Sequence, residues 1–214
     1  MEIRRFVCNP LQENCYVVSD DSRECVIIDC GALYPEERRA ITEYIRTAGL
    51  RPVHLLATHG HVDHNFGNDT IFAEFALKAE VMAADLYLAE HLPEQAEQMF
   101  GMAINTDQPA LGTCFKDGDR IGFGTHELQV INTPGHTPGS AVFWCEQESV
   151  AFTGDTLFRM SIVRTDFEGG SWQQMEQSLQ LLAATLPAAT KIFAGHGPES
   201  SMADELRYNP YLRA

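Results

Sequence analysis

The heptapeptide Thr58-His59-Gly60-His61-Val62-Asp63-His64 decides the reading of this chain, because it places three imidazoles and a carboxylate within seven residues. That density points to a metal site: zinc and similar ions take imidazole nitrogen at about 2.0–2.1 Å and carboxylate oxygen at about the same distance. Residues two apart on a helix face different directions, so a helix cannot aim this set at one point, whereas a tight turn can. Val53, Leu55 and Leu56 form a short apolar run ending at Ala57, and Gly60 and Gly67 argue against a regular helix. The motif is therefore expected on a strand-to-helix loop. His54 lies inside the preceding strand, where alternation points it away from its neighbours, and it reads as a packed or surface histidine.

Three further candidates stand at the ends of expected strands: His136 in TPGHTPGS (133–140), Asp155 in FTGDTLF (152–158) and His196 in FAGHGP (193–198). Each follows an apolar run and lies beside glycine, which permits sharp turns and close backbone approach, so loops from separate strands can converge on one point. With His59, His61, Asp63 and His64 the set comprises five histidines and two aspartates. Seven groups exceed what one tetrahedral ion needs. They suit two ions about 3.5–4 Å apart that share a carboxylate and a water able to lose its proton near pH 7.

The rest of the chain reads as a layered α/β protein. Strands are expected at Ile3–Cys8, Cys15–Ser19, Cys25–Ile28, Leu128–Ile131, Ala141–Cys145, Val150–Thr153 and Lys191–Ala194, with a turn at Asp117-Gly118. An amphipathic helix is expected from Pro35 to Ala48, with Ala40, Ile41, Tyr44, Ile45 and Ala48 on one face and Gly49 as its stop. A second should follow the metal motif from Asp69 to Leu77, and two more should run across Asp85 to Met102. A last helix starts at Ser171, where Ser171 and Gln174 form a capping box ahead of a stripe of Met175, Leu179 and Leu182. This order suits two packed sheets with helices outside, and 214 residues suit one domain spanning 1–214.

Composition excludes several classes. Fifteen Lys and Arg against 30 Asp and Glu leave a formal charge of −15, which disfavours phosphate backbones and hence nucleic acid. No segment approaches the ~18 apolar residues of a membrane span, and the opening Met1-Glu2-Ile3-Arg4-Arg5-Phe6 lacks the apolar run of a secretory signal, so a cytoplasmic location is expected. Six cysteines (Cys8, Cys15, Cys25, Cys30, Cys114, Cys145) show no CxxC pair and read as free thiols. His91 and His126 read as surface residues. Asp29 ends an apolar strand before Cys30-Gly31, where it is open to a turn role or to orienting a ligand imidazole from behind.

Taken together, the HxHxDH motif at 59–64 and the later His136, Asp155 and His196, in that order, resemble the metallo-β-lactamase superfamily along nearly the whole chain. The resemblance implies the αββα fold, a two-sheet sandwich flanked by helices on both outer faces. It also implies His59, His61 and His136 on a first divalent ion, Asp63, His64 and His196 on a second, and Asp155 bridging, with zinc expected and iron or manganese as alternatives.

Segments GDTLFRMSIVRTDF (154–167) and GHGPESSMADELRYNP (195–210) are similar to short glyoxalase II-type proteins, the hydroxyacylglutathione hydrolases. Their pattern LFxxSIGRTD has Gly where Val163 stands, and GHGPxTT has Thr-Thr where Ser200-Ser201 stand. Full-length glyoxalase II also carries a C-terminal helical domain with basic contacts to glutathione, whereas this chain runs about 18 residues past His196. The implied activity is hydrolysis of a small acyl thioester by a metal-bound hydroxide, with Asp63 orienting it; Arg159 and Arg164 are open to meeting an anionic substrate or to lying solvated on loops. Iron-dependent persulfide dioxygenases resemble the same scaffold, and there His59, His136 and Asp155 would hold a single iron.

Overall fold

The computed structural model describes residues 1–105 and 107–213. Its first sheet runs in spatial order β1 (Glu2–Cys8), β2 (Glu13–Ser19), β3 (Glu24–Ile28), β4 (Arg51–Leu56), β5 (Ala79–Glu80). The second contains β6 (Arg120–Phe123), β7 (His126–Asn132), β8 (Ala141–Cys145), β9 (Val150–Gly154), β12 (Lys191–Ala194) and β13 (Ser200–Ser201), in order β13-β12-β9-β8-β7-β6. Strands β10 (Leu157–Phe158) and β11 (Ser161–Ile162) form a small separate hairpin.

Alternation of side chains along the strands explains how these sheets are layered. Val18, Val26, Ile28 and Leu56 of the first sheet meet Leu128, Val130, Phe143, Cys145 and Phe152 of the second in one buried cluster. The intervening residues Val17, Cys25, Ile27 and Leu55 point outward, onto Ile41 and Ile45 of α1 (Pro35–Thr47) and Ile71 of α2 (Asn68–Phe75). On the far face Val142, Trp144, Ala151 and Ile192 pack on Met175, Leu179 and Leu182 of α5 (Trp172–Thr185) and Met202 of α6 (Met202–Tyr208). Strands covered on both faces read as continuous apolar runs, which is why these were visible in the sequence. The architecture is the expected αββα sandwich.

The remaining helices, α3 (Leu86–Glu90) and α4 (Leu92–Phe100), lie in the expected 85–102 segment. The stripe on α1 is rotated from expectation: Ile41, Thr42 and Ile45 are buried while Ala40 is exposed. Ser171 caps α5 by accepting from the Gln174 amide, but its own N–H goes to Gly135 O (2.8 Å), so only half of the expected box forms. The short β5, β6, β10, β11 and β13 and helix α6 had no clear periodic signal. All six cysteines are free. Among the described residues no helix is long and apolar enough to cross a membrane.

Strand direction places the functional loops. Strands β3 and β4 are parallel, β9 and β12 are parallel, and β7 and β9 are each antiparallel to β8, so within each sheet these C-terminal ends share an edge. The two edges form one rim, joined where the Asn14 amide donates to Gly195 O (2.7 Å) and the Ala141 amide to Thr58 O (2.8 Å).

Candidate metal centre

All seven sequence-selected residues reach this rim, and six of the seven are buried, with His196 half-buried. The loop after β4 delivers His59 and His61, and a single 3₁₀ turn, Val62–His64, delivers Asp63 and His64. His136 follows β7, Asp155 comes directly after β9 and His196 stands just past the end of β12. Gly195 allows the closest approach: a Cβ there would lie 2.4 Å from Asp155 Oδ1 and 2.7 Å from His64 Cε1. Potential ligand atoms of His59, His61 and His136 lie within 4.8 Å of one another, and so do those of Asp63, His64 and His196. Asp155 stands between the groups, with Oδ1 3.4 Å from His64 Nε2 and Oδ2 3.6 Å from His196 Nε2 and 3.9 Å from His136 Nε2.

The hydrogen bonds behind the imidazoles fix which nitrogens face inward. His136 Nδ1 lies 2.8 Å from Arg164 O, His196 Nδ1 3.0 Å from Leu11 O and His64 Nδ1 3.0 Å from Asp29 Oδ2. Each partner is an acceptor, so each Nδ1 carries the proton and each Nε2 presents a lone pair to the centre. His64 Nε2 and His196 Nε2 are nevertheless 3.2 Å apart, and His61 Nδ1 is 2.9 Å from His136 Nε2. Buried His59 Nε2 and Asp155 Oδ1 have no hydrogen-bond partner. Lone pairs and carboxylates packed at these distances repel unless positive charge lies among them, so the donor set fits a pair of cations.

The electrostatics agree. Burial disfavours ionisation of Asp155, but His64, His196 and His136 hold its carboxyl well below the usual range. Burial likewise opposes charge on Asp63, and His64 and His196 reverse it. Burial and His136 push His61 down to about 4, and burial with the neighbouring imidazoles lowers His59 well below an ordinary histidine. Burial opposes charge on His64 and His196 too, but Asp155 and Asp63 raise both, so this half of the centre draws positive charge that a bound cation would supply in place of protons.

Asp29, left open by the sequence, takes both of its alternatives. It sits at φ +52° to turn the chain, and its carboxylate accepts from Thr58 N (2.7 Å) and Thr58 Oγ1 (2.8 Å) while holding His64. His54 lies off the centre, with Nδ1 2.7 Å from Glu80 Oε1, and His91 Nδ1 contacts Tyr87 O at 2.7 Å. His126 departs from expectation: it is largely buried, 3.1 Å from Asp20 Oδ2 and 2.9 Å from Glu148 Oε1. Arg159 is exposed, and the Arg164 side chain pairs with Asp166.

Two carboxylates escaped the sequence reading. Asp85 is fully buried; it accepts from Gly60 N (2.9 Å) and Thr137 Oγ1 (2.6 Å) on Oδ2 and from Gly139 N (2.6 Å) on Oδ1, tying the His59–His61 loop to the His136 loop. An Asp at the start of an expected helix carries no sign of this. Glu13, at the first position of β2, is fully buried with neither oxygen hydrogen-bonded, and burial raises its carboxyl well above the usual range. It packs behind the centre beside Asp29 and His64.

Fold and site together define an αββα protein whose strand-end rim carries a cation-accepting cluster of histidines and aspartates. The chain belongs to the metallo-beta-lactamase superfamily, whose family model matches residues 8–196. It is 33% identical over 218 residues to the hydroxyacylglutathione hydrolase GloC of Haemophilus influenzae, covering 100% of this chain and 99% of that one. Among solved structures it is similar to the BLEG-1 B3 metallo-beta-lactamase (TM-score 0.90, 30% identity, 100% of both chains). It is also similar to TTHA1623 in a di-iron-bound form (TM-score 0.86, 32% identity, 98% of this chain and 100% of that one).

Proposed function

We propose that this protein is a metal-dependent hydrolase of small acyl thioesters, of the hydroxyacylglutathione hydrolase kind. His59, His61 and His136 would hold one divalent ion, Asp63, His64 and His196 the other, and Asp155 would bridge them. The observation that carries the reading is the convergence of inward lone pairs at the floor of a cavity of about 520 Å³, where His61, Asp63, His136, Asp155 and His196 line the base. When bound, the ions supply a water of lowered pKa and an electrophile for the carbonyl oxygen.

The protein's own groups do the rest. Arg164 O, Leu11 O and Asp29 keep three imidazoles in one tautomer, so the centre is set before substrate arrives. Asp63, facing the same space with Oδ2 3.4 Å from His196 Nε2, orients the attacking water. The water gives up a proton to solvent, its oxygen bonds to the carbonyl carbon, the C–S bond breaks and the sulfur leaves with the electron pair, and the acid product loses its remaining proton to solvent. A thiolate needs no acid to depart, since the pKa of a thiol is about 8.5. That suits this cavity: among the described lining residues, Arg164 is the sole Lys or Arg and is already paired. Similarity to GloC supports the thioester, and similarity to a di-iron structure keeps iron alongside zinc as the metal.

The test is metal analysis of protein purified without chelators, followed by a panel of lactoylglutathione, other thioesters and a β-lactam. Two metals per chain and oxygen-independent thioester cleavage are expected, with His59→Ala losing metal and activity together. One iron with oxygen uptake on glutathione persulfide, or cleavage of the β-lactam alone, would overturn the reading.

A further inference from the structure

Accepting the hydrolase reading, the walls of the same cavity narrow the thiol carrier. Above the histidine and aspartate floor the lining is mostly apolar: Leu11 from the β1–β2 loop, Met99 and Phe100 at the end of α4, and Val163 and Phe167 beyond β11, with Gln98 and Arg164 as its polar members. Phe167 stands edge-on to two floor imidazoles, with ring centroids 5.4 Å from His61 and 5.9 Å from His136. The apolar wall therefore begins where the reacting carbonyl must sit.

Charge points the same way. Arg164 is the sole Lys or Arg among the described lining residues. Its Nε lies 2.6 Å from Asp166 Oδ1 and its Nη2 2.7 Å from Asp166 Oδ2, and its guanidinium carbon stacks 4.2 Å from the Phe167 ring centre. Turning it toward a substrate would give up this exposed ion pair and uncover that ring. A glutathione tail brings two carboxylates and one ammonium into this site, on a chain whose formal charge is −15. Those carboxylates would lose water at a wall that, among the described lining residues above the floor, offers only Gln98 and the already paired Arg164 as polar partners.

We propose that the site takes acyl thioesters whose thiol half is short, uncharged and apolar, seated against Leu11, Met99, Phe100, Val163 and Phe167, in preference to a peptide thiol with free carboxylates. Holding the acyl group constant isolates the carrier. Lactoyl thioesters of benzyl mercaptan, N-acetylcysteamine and glutathione are compared on the metal-loaded protein, each rate normalised to its hydroxide hydrolysis. The benzyl mercaptan ester should exceed the glutathione ester in kcat/KM by about ten-fold or more, equivalent to about 1.4 kcal/mol.

A second arm adds the missing cation. Met99 is 40% exposed, so Met99→Arg should fold, as checked by its melting temperature, and should narrow the gap about three-fold, more at low salt than at high. A glutathione ester equal to or better than the benzyl mercaptan ester overturns the carrier assignment and leaves the hydrolase reading standing. A gap unmoved by both salt and Met99→Arg also overturns it. If no thioester is cleaved while both metals are bound, the hydrolase reading fails and this inference falls with it.

Discussion

Replacing Asp85 tests whether the centre is held from behind. Its carboxylate satisfies two buried backbone amides, Gly60 N and Gly139 N, and the Thr137 hydroxyl, at 2.6–2.9 Å. Stranding a buried donor costs about 1–3 kcal/mol, so Asp85→Ala, which strands the two amides while the Thr137 hydroxyl keeps Ser140 Oγ (2.8 Å), should destabilise the metal-free protein by about 2–6 kcal/mol. Asp85→Asn is gentler. Its oxygen can keep Gly60 and Thr137, but its amide then faces the Gly139 N–H, leaving one donor unpaired and a loss of about 1–3 kcal/mol. Because Gly60 separates His59 from His61 and Gly139 follows His136, slack in these loops should weaken the His59–His61–His136 cluster selectively. The expected loss in metal affinity is about 10–100-fold, the range seen when a group supporting a ligand is removed. Urea melts of chelator-treated protein give the stability, and zinc titration against a competing chelator gives the two affinities. Metal-free midpoints within about 0.5 kcal/mol of wild type for both variants, or two wild-type zinc affinities in Asp85→Asn, would refute the reasoning.

Three further outcomes follow from the same structure. Phe143, fully buried between the sheets, should cost about 3–5 kcal/mol as Phe143→Ala in urea melts, since little around it can collapse into the void. Asp29→Ala removes the acceptor behind His64 Nδ1 and puts alanine at φ +52°, so zinc titration should show the Asp63–His64–His196 cluster weakened more than the other. The hydrogen bond to Glu80 raises the pKa of His54, against partial burial. The pair's contribution is thus full below the unfolded value of about 6.5 and fades as pH climbs through the higher folded value. His54→Gln should therefore lose at most about 1 kcal/mol at pH 5–6 and nothing by pH 9, and a loss that grows with pH would contradict the pairing.

Much of this molecule was legible in its residues because the signals were local. Strand β8 begins and ends where its apolar run does, since a strand covered on both faces must be apolar throughout. The seven centre-forming residues stood out through their chemistry and their place at strand ends beside glycine. Signals faded where an element is two residues long, as in β5, β10, β11 and β13, because periodicity needs several residues to show. They also faded where a side chain serves a distant partner: Asp85 meets Thr137 across 52 positions, and an aspartate before a helix looks the same whatever it binds.

By itself the sequence determined most of the inventory: the longer strands and helices, and the histidines and aspartates whose chemistry suits a metal. Only the tertiary structure decided their arrangement. Parallel pairing of β3 with β4 and of β9 with β12 brought His64 and His196, 132 positions apart, to 3.2 Å. Acceptors on other segments, Arg164 O, Leu11 O and Asp29, chose which nitrogen of His136, His196 and His64 faces inward, and Asp166 claimed the Arg164 guanidinium at the cavity. The physical reason is that propensity and periodicity act over a few residues, whereas ligand geometry, tautomer and free charge are set by neighbours that only folding brings together.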